Sequence, residues 1–227
     1  MAGAREALES QRRLEQEFVA EALKSETAPK GWPAALIMFH VAMWRERLRD
    51  ALRDFSEGRE VTPAPSNIDE LNDAELATGI GTPLADAAAR SHMLFGELID
   101  VYEHVGEKPF AWGAARTTTE AVLRNSYTHP RVHIYGYLNE NGDPEKAHAL
   151  SEESLSEMRK ISAPPLILGT VLYNAATVRI DKDEQDQAVE LLAECFTLRP
   201  DLRVQAARDA DLSPLHGHPR FQELLKP

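Results

Sequence analysis

The segment Thr128-His129-Pro130-Arg131-Val132-His133 decides how the rest of the chain is read. It follows a polar turn and leads into Ile134, Tyr135 and Leu138, a pattern that predicts a helix starting near His129. Proline disfavours helical backbone at the residue before it and suits the first helical position itself. His129 then falls at the helix boundary and His133 about one turn inside. Residues four apart project from one helical face, so the two imidazoles point the same way. By itself this spacing also fits two surface histidines in a first helical turn. A third histidine separates the readings: His40 lies 89 positions before His129 (129 − 40), on the apolar face of another helix. Two imidazoles at i and i+4 and one from a distant helix make an open metal site, in which neutral nitrogens hold a divalent ion and leave a position for water or substrate.

Working outward, helical periodicity recurs along the chain. Residues 4–24 read as a helix with Leu8, Leu14, Phe18, Val19, Ala22 and Leu23 on one broad face and Arg and Glu on the other. After a turn over residues 26–31, Trp32-Pro33 opens a second helix whose stripe is Leu36, Phe39 with His40, Met43, Leu48, Ala51 and Phe55, closed by Gly58. Residues 59–80 read as a linker and pocket rim, with a short helical turn inside 68–78. A third helix follows Gly81-Thr82-Pro83 with Thr82 as N-cap, buries Leu84, Ala88, His92, Phe95, Leu98, Ile99 and Tyr102, and ends at Gly106. A short helix over 118–124 is capped from Thr117. The helix carrying His129 and His133 ends at Asn139-Glu140-Asn141-Gly142-Asp143-Pro144, and a further helix runs over 145–160. No segment alternates with period two, so no strand is expected. The fold class is all-α, with a four-helix bundle over residues 1–145.

Residues 146–227 form the second division. Two helices, 166–180 and 184–198, are joined by a short acidic turn and followed by Leu198-Arg199-Pro200-Asp201. Helix pairs ending in proline are the shape of one tetratricopeptide unit. Small residues stand where such helices approach, at Ala175, Ala176, Ala188 and Cys195. A turn and a short terminal helix complete the chain.

Composition excludes several classes of function. The 227 residues are 43% hydrophobic and 27% charged, ordinary for a globular protein. A formal charge of −12 argues against nucleic acid as partner, which calls for a basic surface. The longest apolar run, Ala34 to Phe39, is far short of a bilayer span, and the charged first residues carry no secretory signal. The single cysteine, Cys195, fits a reducing cytoplasm. No Ser-His-Asp order, phosphate loop or dinucleotide fingerprint occurs.

Of the remaining histidines, His92 is on an inward face and reads as a hydrogen-bonded core histidine able to orient a ligand of the metal. His104 suits the helix dipole; His148, His216 and His218 stand outside the pattern. Trp44, one turn from His40, is the best aromatic candidate for the pocket, ahead of Trp32, Trp112 and Tyr135, and Tyr137 projects towards the same side as His133. Cys195 reads as packed and inert.

These residues resemble a known family. Leu36-Ile37-Met38-Phe39-His40-Val41-Ala42-Met43-Trp44-Arg45 is similar to the second helix of the DinB/YfiT-like metalloenzymes, and Asn125-Ser126-Tyr127-Thr128-His129-Pro130 to the approach to their fourth helix. The resemblance covers roughly residues 5 to 140. It implies an up-down-down-up bundle with His40, His129 and His133 on a divalent metal, often nickel or zinc. It also implies a small-molecule substrate and, as cosubstrate, a low-molecular-weight thiol such as bacillithiol or mycothiol. The activity implied is thiol S-transfer or metal-assisted hydrolysis. Tyr173-Asn174-Ala175-Ala176, residues 186–192, Leu198-Arg199-Pro200-Asp201 and the closing Asp209-to-Leu215 segment resemble a terminal tetratricopeptide repeat. A lone repeat must pack on the bundle or on a second chain, which makes a homodimer one expectation. The alternative is a non-catalytic scaffold whose tail binds a protein partner.

Overall fold

A computed structural model describes residues 2–226, which are mostly helical. The chain divides into two units, the first ending at Ala147 and the second starting at His148.

In the first unit, helix α1 (Ala2–Ala22) buries Leu8, Phe18 and Val19, and α2 (Ala34–Ser56) buries Ile37, Met38, Val41, Leu48 and Leu52. Pro33 occupies the N-cap of α2 and not its first turn, in extended conformation at φ −60° and ψ 148°. At the other end Gly58 takes φ +69°, and the Arg59 N–H turns back to the Asp54 carbonyl at 2.8 Å, closing the helix with a left-handed glycine. Helix α4 (Leu84–Val105) packs extensively along α2. Its N-cap is Pro83, at φ −60°, and no side chain caps it. Thr82, expected there, sits one residue too early, because the fixed φ of proline already suits the cap.

Two further expectations are corrected. The segment read as a linker with one helical turn contains a full helix, α3 (Ile68–Gly79), with Asp69 and Glu70 in its first turn, where acids favour the dipole. It holds to α2 through the Arg47–Glu75 ion pair, the Trp44 Nε1–H donating to Asn72 Oδ1 at 3.1 Å, and Gly79, where an added Cβ would meet Phe39 at 2.4 Å. Strands also occur: β1 (Pro109–Trp112) pairs antiparallel with β2 (Ala115–Thr117). Strands of four and three residues are too short for period two to register. The hairpin turns at Gly113, φ +59°, and sets Phe110 edge-on to Phe55 of α2, 5.2 Å between centroids.

The segment around the two histidines departs most from expectation. Helix α5 (Thr118–Leu123), capped by the Thr117 side chain accepting from the Glu120 N–H at 3.2 Å, does not end in a turn. It passes through a π-helical turn (Arg124–Thr128) directly into α6 (His129–Glu140). His129 is helical, at φ −61° and ψ −52°, with its N–H bonded to the Arg124 carbonyl five residues back. Thr128 Oγ1 donates to the same carbonyl at 2.9 Å. A regular α-turn would press the Pro130 ring against the Ser126 carbonyl; a widened turn relieves that contact. The helix therefore does not start at His129, and that residue lies inside a continuous helical run.

The core of this unit contains charge. Glu15 and Arg45 are both fully buried, and Arg45 clamps the carboxylate with Nη2 at 2.6 Å and Nη1 at 2.8 Å. Arg45 Nη1 also donates to Ser91 Oγ at 2.8 Å, and the guanidinium lies 3.8 Å over the Phe95 ring. Gln11 Nε2 donates to Glu15 Oε1 at 2.7 Å, and Gln11 Oε1 accepts from Arg131 Nε at 3.0 Å; Arg131 also reaches Ser10 Oγ at 3.2 Å. Helices α1, α2, α4 and α6 meet in this network. Glu15 thus does not belong to the solvated face of α1.

The second unit holds most of α7 (Pro144–Lys160), then α8 (Pro165–Asp181), α9 (Gln185–Leu198), α10 (Leu202–Ala206), a 3-10 turn (Ala210–Leu215) and α11 (Pro219–Leu224). Ala175, Ala176, Ala188 and Cys195 are all buried. The Cys195 thiol donates to the Gly169 carbonyl at 3.2 Å and is pushed up to about 12, chiefly by burial, so it stays protonated. Tyr173 donates to Asp209 Oδ2 at 2.7 Å, tying α8 to the 3-10 turn.

Removing one partner of a buried ion pair leaves the other charge uncompensated, at a cost of about 3–5 kcal/mol, whereas replacing both by apolar groups costs far less. Glu15→Ala is expected to destabilise the protein by about that amount in urea unfolding, and Glu15→Leu with Arg45→Met to recover most of the loss. Equal destabilisation by the single and double variants would contradict the ion-pair account.

Candidate metal centre

His40 is presented by the second turn of α2 and is 2% exposed, while α6 presents His129 and His133 from successive turns. The three imidazoles close on one another: ring centroids are 4.9 Å apart for His40 with each partner and 4.8 Å for His129 with His133. Their Nε2 atoms converge, at 3.0 Å between His40 and His129 and 3.0 Å between His133 and His129. No other group of three or more metal-ligating side chains occurs among the described residues.

This arrangement is poorly satisfied by protein alone. A neutral imidazole nitrogen has a single in-plane site, either an N–H or a lone pair. His129 Nε2 faces two other Nε2 atoms at hydrogen-bond distance and can serve only one of them well. Three lone pairs directed at a shared cation remove the conflict, and two nitrogens each about 2.1 Å from one ion stand roughly 3 Å apart. The donor set therefore fits a divalent metal. His40 Nδ1 is buried without a hydrogen-bond partner, so no protein acceptor fixes the tautomer of that ring.

The environment keeps the rings neutral. His40 is held down to about 3, first by burial and then by His133 and the Arg47 charge. Burial alone holds His133 down to about 4. His129 is depressed well below the ordinary value by burial, reinforced by both neighbouring histidines and by Arg45 and Arg124.

Trp32, in the loop before α2, stacks on His133 with centroids 5.3 Å apart and planes 11° from parallel, and stands edge-on to His40 at 5.3 Å. Trp44, expected to be the nearest aromatic, is further away, edge-on at 6.4 Å from His40 and 6.3 Å from His129. Trp112 is buried in β1. Tyr137 packs edge-on against Phe18 at 5.1 Å and, with Trp32 and His133, lines a cleft of about 220 Å³. His92 is not part of the cluster. Its charged neighbours are Glu15, Arg45 and Arg12, burial is the main cause of its lowered pKa, and its Nε2 has no hydrogen-bond partner, contrary to the hydrogen-bonded core histidine expected. His218 pairs instead with Asp186 at 2.9 Å, and His216 stacks on Phe221.

The residues that align the two ligand-bearing helices carry no role of their own in the sequence reading. Asn125 Nδ2 donates to the Trp44 carbonyl at 2.9 Å, and Asn125 Oδ1 accepts from Ser126 Oγ at 2.8 Å, fixing the π-turn on α2. Arg131, between the two histidines, is directed towards α1. A signal existed: positions 8, 11, 15 and 18 share one helical stripe, as do 41, 45, 48 and 52, which places Gln11, Glu15 and Arg45 among apolar residues.

No protein-family model, curated protein or solved structure matches the chain.

A histidine neutral in the folded state but free to protonate when unfolded destabilises the fold as pH falls. The metal-free protein is expected to hold its stability above about pH 6.5 and lose it progressively towards about pH 3, the window set by the unfolded value and by His133 and His40. Melting temperatures across that range should show the fall, and His133→Gln should flatten it. An unchanged slope in the variant would contradict the assignment.

Proposed function

We propose that the chain is a metal-dependent enzyme of the DinB-like class. In this reading α1, α2, α4 and α6 are the four helices of an up-down-down-up bundle, and His40, His129 and His133 hold a divalent cation, nickel or zinc. The observation that carries it is the convergence of three neutral imidazole Nε2 atoms in a contact that hydrogen bonding alone satisfies poorly. A divalent ion there supplies a Lewis acid that lowers the pKa of a coordinated water or thiol. The activity proposed is S-transfer from a low-molecular-weight thiol, or hydrolysis, on a small-molecule substrate.

The chain's own residues support that use. Burial keeps the imidazole lone pairs available at neutral pH. Trp32 covers one face of His133 and shields it from water, while the adjoining cleft offers a route for a substrate. Three imidazoles without a thiolate accept nickel, zinc, cobalt or copper by similar rules, so the ligands do not select among them. The α8–α9 pair, with its buried alanines and following Pro200, is read as a single tetratricopeptide-like unit.

Protein purified without a histidine tag, loaded with nickel or zinc and gel-filtered, is expected to carry one ion per chain by elemental analysis. His129→Ala and His133→Ala should each abolish stoichiometric binding. Absence of metal from the loaded wild type would overturn the reading.

A further inference from the structure

The cleft beside His133 has one charged wall. Beside the His133 imidazole, Trp32, Ile37, Val132 and Tyr137 line it, and Trp32 and Val132 are 36% and 49% exposed. Exposed apolar side chains gathered at a concave site are the usual lining for a small ligand. The charged member is Glu140, two helical turns beyond His133 on α6. Among the described residues its carboxylate has no ion pair and no hydrogen-bond partner, although the first unit supplies several arginines that pair elsewhere.

The backbone is shaped around this carboxylate. Gly31 takes φ +64°, a conformation that favours glycine, and a Cβ there would meet the Glu140 carboxylate, so the exposed Glu140 side chain would have to swing aside. The loop before α2 is latched at Lys30: its N–H donates to Asn141 Oδ1 at 2.7 Å, and Asn141 Nδ2 donates to its carbonyl at 3.3 Å. Asn141 Nδ2 also donates to the Tyr137 carbonyl at 2.8 Å. The latch holds Gly31 under Glu140 and places Trp32 on His133.

We infer that this cleft binds a small molecule with an apolar body and a cationic amine or alkylammonium group, with Glu140 reading the positive charge. An anionic group would meet repulsion from the unpaired carboxylate; a cation gains a charge partner and aromatic walls that favour ammonium groups. The inference names the substrate class for the proposed metal enzyme and rests on that reading for the reaction, though not for the binding. Glu140 is a specificity-determining residue here, and Gly31 and Asn141 position it.

The test uses n-butyltrimethylammonium, which has no lone pair for a metal, against hexanoate and hexan-1-ol, titrated calorimetrically into metal-free and metal-loaded full-length protein. The cation is expected to bind at least about tenfold more tightly than either counterpart, a difference of about 1.4 kcal/mol. Glu140→Gln should abolish that preference without changing metal content, and Gly31→Ala, which displaces the carboxylate, should do the same. Equal or tighter binding of hexanoate, or a preference unchanged in Glu140→Gln, would overturn the inference. A Glu140-dependent preference in a protein that takes up no metal would support the inference and overturn the metal reading alone.

Discussion

The buried clamp of Arg45 on Glu15 is the constraint from which the site follows. Neither group can leave its partner without exposing a charge to a medium that cannot solvate it, so α1 and α2 have one permitted register. Ser91 of α4 and Ser126 of the π-turn accept further donors of the arginine, and Gln11 passes the network on to Arg131 of α6. With about 100° per residue, Arg131 stands roughly 160° around α6 from both His129 and His133. Directing Arg131 at α1 therefore turns the two histidines away from α1. The same logic acts on α2: holding Arg45 in the core sets the rotation of the helix and so the direction of His40.

This arrangement separates two kinds of polar burial. The Arg45–Glu15 network is saturated, with donors and acceptors matched, and so specifies geometry. The histidine cluster has its nitrogens on one point with one contact too many for His129, and His40 Nδ1 without a partner. A frustrated cluster beside a saturated one is what a ligand site held by a rigid frame requires: the frame keeps the nitrogens together, and a cation resolves their competition.

The mostly helical class was legible because the apolar stripes of the long helices repeat with helical period, and the convergence of His40, His129 and His133 because an i, i+4 pair and a stripe histidine are sequence signals. The mode of approach was not. Pro130 reads locally as a helix start, and only the tertiary hold of Asn125 on the Trp44 carbonyl explains a π-turn that carries the helix past it. Glu15 and Arg45 look like solvated charges unless their place on the stripe is taken as seriously as their chemistry. Trp32 was ranked below Trp44 because helical spacing says nothing of a loop side chain folding back over a ring. The hairpin was lost, and α3 was read as only a short turn, for a related reason: short elements owe their form to Phe55 and Phe39 on α2, not to their own periodicity.

The central claim is that three imidazole nitrogens from α2 and α6 share one cation. X-ray absorption on protein loaded with one zinc per chain addresses it directly. The account predicts three imidazole ligands per ion at about 2.0–2.1 Å, falling to two in His40→Ala. A shell with one imidazole or none, or a spectrum unchanged by that substitution, would contradict it.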